Sequence, residues 1–323
     1  MASVLLRLFV SVPFFVFLSF FNYSSSPPSL DLLTMTDNAL LVAFNAIEVV
    51  GLAGALVIIT TAVVSPSIQR LPTWYLVLCS SAVCSFSMLL LAMVRRQSGP
   101  EPDFALCLIQ GALIYASPIW LMASTCAFAL QFYLTVLYYV KQYTGKISHK
   151  SKWLLLSTVI LFILVTIVLL VIGILHPQIV QRDQFYCHFT KHIGVYVENL
   201  FSAASGAISV TFEYKSSKLL YQHWKNKDEY YLKSNGIVSF GVMVRLAGFS
   251  LLSILSVATC AVYLLRDQSL KNYDNFVLYS ALLSNVVVVL ALNMSIIRAW
   301  MFWNNHKFGS PQVHVEVKVE QSV

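Results

Sequence analysis

Between Phe104 and Tyr143 the chain reads FALCLIQGALIYASPIWLMASTCAFALQFYLTVLYYVKQY, with no charged side chain before Lys141. A bilayer core needs ~20 consecutive apolar residues to be crossed as a helix, and this stretch is longer than that. It opens with Cys107, after the acidic loop GPEPDF, and closes in aromatics and Lys141, at the start of the basic loop KQYTGKISHK. Pro118 sits near its middle. A proline there frees a backbone carbonyl, which a membrane protein tolerates where neighbouring helices surround it.

Stretches of this kind recur. Ala39–Val64, Trp74–Val94, Trp153–Leu175, Ile193–Tyr214, Gly236–Leu265 and Phe276–Trp300 bring the expected number of spans to seven. The expected fold class is an all-α, seven-helix transmembrane bundle. Composition agrees: 58% of the residues are hydrophobic and 11% charged, against roughly 45–50% and ~25% in soluble domains. A β-barrel is excluded, because its spans would be about 10-residue alternating segments. The formal charge of +7 does not indicate nucleic acid, because the Lys and Arg residues lie in the short connections between spans, where they serve topology.

Residues 1–38 precede the bundle, residues 39–300 form it and residues 301–323 make a tail. Residues 4–21 are apolar apart from Arg7 and are followed by NYSSSPPS. This reads as a signal peptide or signal anchor, with translation from Met35 as a third reading. In the tail, AWMFWNNHKF suits an interfacial amphipathic turn, and VHVEVKVE alternates strictly, as a short strand or a free end would.

Loop charges predict the orientation. The connections after spans one, three and five, together with the tail, carry 13 Lys and Arg, and the other three connections carry 6. Positive loops stay in the cytoplasm, so the bundle is expected to have its N-terminus outside and its C-terminus inside.

A seven-span, N-out chain with a cysteine at the outer end of span three (FALCLIQG) and another in the next outer loop (RDQFYCHF) resembles the G protein-coupled receptor superfamily. The Cys-x-x-Gln start of span three and the arginine of MVRLAGFSL in span six make it most similar to fungal seven-helix receptor-like proteins. The resemblance implies a Cys107–Cys187 disulfide, a plasma-membrane location, an extracellular ligand and a heterotrimeric G protein partner. The sequence also departs from the superfamily. Span three ends LYYVKQY without Asp-Arg-Tyr, span six lacks Pro and Trp, and span seven ends LALNMSIIRAW without Asn-Pro-x-x-Tyr. The rhodopsin-like switch residues are therefore not carried over. Span seven holds no Lys for a retinal Schiff base, and no cofactor is expected.

Several residues stand out as candidates for function. Cys107 and Cys187 both lie on the expected outer face, an oxidising compartment. Glu48, Arg245 and Asn285 lie deep within apolar spans at similar depth. A charge there costs at least ~2.5–3.5 kcal/mol and normally faces a partner in the bundle. They are expected to form either a switching network or a static clamp. Gln110, Tyr115, Glu198 and Asn199 lie at similar levels near the outer face. They are candidates for a ligand pocket, or for hydrogen bonds between helices. Lys141, Lys146, Lys215, Lys218, Lys225 and Lys233 make a basic cytoplasmic face, suited to a G protein or to anionic lipid.

The expected function is therefore a receptor coupling an extracellular ligand to a G protein. The alternative is a small-solute transporter or channel. Against it, no internal repeat or matched pair of broken spans is evident. An enzyme is not expected, because the spans hold no His, Asp and Glu cluster of catalytic or metal-binding spacing.

Overall fold

A computed structural model describes residues 30–65, 71–97, 100–141, 147–183, 186–190 and 193–226. Helix α1 spans Leu30–Val64, α2 Pro72–Met93, α3 Phe104–Lys141, α4 Ile147–Leu175 and α5 Ile193–Asn226. Strands β1 (Val180–Arg182) and β2 (Cys187–Phe189) form a small antiparallel hairpin between α4 and α5, with Arg182 opposite Cys187. Apart from this hairpin and a single 3-10 turn at Pro177–Ile179, the described elements are α-helices, in keeping with the all-α expectation. Among the described residues, four helices (α1 to α4) are long and apolar enough to cross a membrane.

Helix ends follow local chemistry. Pro72 sits in the first turn of α2, where its missing N–H and fixed φ cost nothing. At the other end of α2, Arg95 takes the left-handed conformation at φ 55°. The Arg96 N–H donates to the Leu91 carbonyl at 2.9 Å and the Arg95 N–H to the Ala92 carbonyl at 3.0 Å. This is a Schellman motif, built here on an arginine rather than the usual glycine. It turns the chain back, and Gln97 exchanges two amide hydrogen bonds with Asn45 of α1, at 2.7 and 3.0 Å. Helix α3 runs unbroken through Pro118.

Helix α3 is the centre of the described bundle and packs against α2, α4 and α5, while α1 packs on α2. Ala55, Ile58 and Ala62 of α1 meet Trp74, Val77, Leu78 and Ala82 of α2, with Leu121 of α3 behind them. The alanines let the helix backbones approach closely, which is how apolar helices associate where lipid removes the hydrophobic drive. Helix α4 is different. Only 11% of its apolar window is buried, against 72% for α3. Its exposed side chains are Ile, Leu and Val on nearly every turn. Such a surface suits hydrocarbon rather than water.

Helix α5 states the same rule in reverse. Glu198, Asn199, Ser202, Ser205, Ser209, Glu213 and Ser216 recur every three or four residues and are all buried, whereas Val197, Leu200, Ile208 and Tyr214 face outward. A helix with its polar stripe inside and its apolar stripe outside is the pattern expected of a bundle whose solvent is lipid. That polarity leaves α5 less apolar than its neighbours.

Candidate functional site

The first element of the site is a covalent cap. The N–H of Cys107 donates to the Asp103 carbonyl in the opening turn of α3, and Cys107 is bonded to Cys187 of β2 across 80 residues, with Cα atoms 5.2 Å apart. Leu91, at the Schellman end of α2, packs on this disulfide. Arg182, opposite Cys187 in the hairpin, donates to the backbone carbonyls of Arg96 and Pro100, at 3.4 and 3.1 Å. The disulfide, the hairpin and the loop after α2 thus lock into one lid over the end of α3.

Gln110, a candidate pocket residue, belongs to this lid. Its side chain is fully buried; its Nε2 donates to the Ser87 carbonyl at 3.1 Å, and its Oε1 accepts from the Cys187 N–H at 3.0 Å. The amide therefore bridges α2 to β2 on top of the disulfide. Tyr115 turns elsewhere. It packs with Leu108, Ile179 and Phe189, and its ring centroid is 5.7 Å from that of Phe189. Gly173 of α4 has no side chain to collide with Leu108, and any Cβ there would. The bare backbone lets α4 close on the underside of the hairpin.

Glu198 and Asn199 are both buried in α5. Parallel helices of equal rise keep a constant offset. Ser209 faces Cys126 of α3, Phe212 meets Tyr133 and Leu220 packs with Val136, so α5 runs alongside α3 in the same direction. Glu198 lies on the same buried stripe of α5 as Ser209. Gln110 and Tyr115 lie on different sides of α3.

Glu48 is buried on α1 at 1% exposure, close to Ser85 of α2 but outside hydrogen-bond geometry. Both of its carboxylate oxygens lack a hydrogen-bond partner among the described residues. Its expected partners, Arg245 and Asn285, lie outside the described residues, as do Lys146 and Lys233. Lys215, Lys218 and Lys225 were expected in a loop but ride on α5, and Lys141 is the last residue of α3. The segment KSSKLLYQHWKN contains no Gly or Pro to stop the helix. Leu220 and Leu219 dock it on Val136 and Phe132 of α3. Lys215 lies over the Phe212 ring at 5.9 Å, and Phe212 meets Tyr133 at 5.7 Å.

Sequence reasoning missed one further feature, a polar seam between α2 and α3. Thr73, Ser80 and Ser87 on one helix and Gln131, Ser124 and Ser117 on the other recur every seven residues, and all are buried. The helices are antiparallel, so they meet in layers. Thr73 donates to Gln131 and Ser87 bonds Ser117 at 3.2 Å, so the antiparallel register puts Ser80 level with Ser124, where Ser80 donates to the Val77 carbonyl at 2.9 Å instead. A seven-residue repeat of small polar residues inside apolar spans was the signal available.

No protein-family model matches this chain, and no curated protein matches it.

Proposed function

We propose that the chain is a seven-helix receptor of the G protein-coupled type, N-out and C-in at the plasma membrane. In this reading it senses an extracellular ligand at the disulfide-capped end and signals to a heterotrimeric G protein at the other. The observation that carries the reading is the covalent hairpin cap. It pins the loop between α4 and α5 to the first turn of the most buried of the four described spans. A rigid lid of this kind holds an outer site while the helices below it stay free to shift. At the opposite end the extensions of α3 and α5 pack on each other and present Lys215 and Lys218 outward. Lysines on a paired, rigid element suit an acidic partner surface.

The test is nucleotide exchange by purified heterotrimeric G protein in proteoliposomes holding the full chain. The receptor reading expects faster exchange than with empty liposomes, reduced several-fold by Lys215→Glu with Lys218→Glu. Solute flux across the same liposomes without any exchange would replace it with the transporter or channel.

A further inference from the structure

We propose that the outward face of α5, near its C-terminal end, binds the headgroup of an anionic phospholipid through Lys215 and Lys218, between Tyr214 and Tyr221. The proposal rests on the reading of α5 as a span whose far end is cytoplasmic. The register of the helix carries it. A residue eighteen places on returns to the same helix face after five turns, about 27 Å further along. Tyr214 therefore stands below Tyr196, Lys215 below Val197 and Lys218 below Leu200. Tyr196, Val197 and Leu200 are 43%, 52% and 67% exposed and belong to the stripe that faces hydrocarbon. Tyr214, Lys215, Lys218 and Tyr221 are exposed on its continuation. Leu220, beside them in sequence, turns inward to Val136 of α3.

This spacing fits a bilayer. Tyrosines about 27 Å apart on one face match the two edges of a hydrocarbon core ~30 Å thick, where tyrosine is enriched. The charged group a side chain meets at the inner edge is a lipid phosphate. Residues three apart are neighbours on a helix surface, and like charges there repel until an anion lies between them. Glu213 does not serve Lys215 and Lys218 in this way, because it is buried on the inner side of α5. Lys215 lies over the Phe212 ring at 5.9 Å, and Phe212 packs on Tyr133 of α3, which holds the ammonium close to the helix. Anionic headgroups of the cytoplasmic leaflet attract lysines placed at that surface. The sideways aspect of this pair favours lipid over a soluble acidic protein, which would reach the helix from its end.

The experiment is thermal denaturation of the full chain in a non-ionic detergent, titrated with dioctanoyl phosphatidylserine, dioctanoyl phosphatidylcholine or inorganic phosphate. Wild type should be stabilised by phosphatidylserine at a several-fold lower concentration than by phosphatidylcholine, and not by inorganic phosphate. Lys215→Gln with Lys218→Gln should raise the half-saturating phosphatidylserine concentration at least fivefold and leave that of phosphatidylcholine unchanged. Lys215→Arg with Lys218→Arg should keep the preference. Arg95→Gln with Arg96→Gln removes the same charge from exposed side chains at the other end of the bundle and should also keep it. The proposal is overturned by equal response to the two lipids, by a preference that survives the double glutamine variant, by its loss in the arginine variant, or by its equal loss in the Arg95 and Arg96 control. Stabilisation by inorganic phosphate alone would overturn it too. The assay needs no G protein. Lipid preference without nucleotide exchange would keep the site and discard the receptor, whereas exchange without lipid preference would keep the receptor and leave the lysines to the G protein.

Discussion

Removing the disulfide tests the cap most directly. The bridge closes a loop of 80 residues, and chain entropy assigns such a loop about 4.5 kcal/mol in a freely unfolding chain. A bilayer reduces that figure, since α3 and α4 remain inserted when tertiary contacts are lost and their ends stay near one surface. The expected cost of Cys107→Ser or Cys187→Ser is therefore about 2–3 kcal/mol, in the usual range for a native bridge. At roughly 2–4 °C per kcal/mol for a chain of this order of size, the melting temperature falls by on the order of 5–10 °C. The assay is thermal denaturation in detergent, read by labelling of the buried thiol of Cys84. One bridge acts as one unit, so the double replacement should add less than about 0.5 kcal/mol to either single one. Losses that sum, or alkylation of both thiols in the unreduced native protein, would refute the reasoning.

Other outcomes follow from the same geometry. Gln110→Leu strands the buried Cys187 N–H, which should cost about 1–3 kcal/mol and, in cells, lower surface expression. In the α2–α3 seam, Ser117→Ala should lose about 0.6 kcal/mol with its bond to Ser87, whereas Ser124→Ala should lose nothing, because its hydroxyl has no partner among the described residues; the reverse order in melting temperature would contradict the layering. Glu48→Gln and Arg245→Met should each destabilise more than the double mutant if the two neutralise each other, since breaking one partner of a buried pair costs ~3–5 kcal/mol; additive losses would separate them. A tag at Asn226 should be reached only after permeabilisation and one at Gln268 without it, and the opposite labelling would invert the topology.

Much of this protein was determined by sequence alone, for a physical reason. The bilayer requires ~20 apolar residues per span and internal satisfaction of every backbone group, so length and hydropathy place helices without knowledge of their neighbours. Thus Trp74–Val94 and Phe104–Tyr143 were legible to within a few residues of α2 and α3. The cysteine pair was legible through resemblance to a receptor family rather than from spacing. Tertiary structure decided the rest, because it depends on which face of each helix meets which neighbour. In sequence, Gln110 reads equally as a pocket residue or a helix-to-helix bond; only the approach of β2 sets its amide between the Cys187 N–H and the Ser87 carbonyl. Lys215 and Lys218 read as loop residues until Leu220 finds Val136 and the helix continues past the apolar stretch. The polar stripe of α5 is written in its sequence, but that the stripe faces inward is a fact of packing: a buried serine or carboxylate shares the bundle's interior, while hydrocarbon outside offers it no partner.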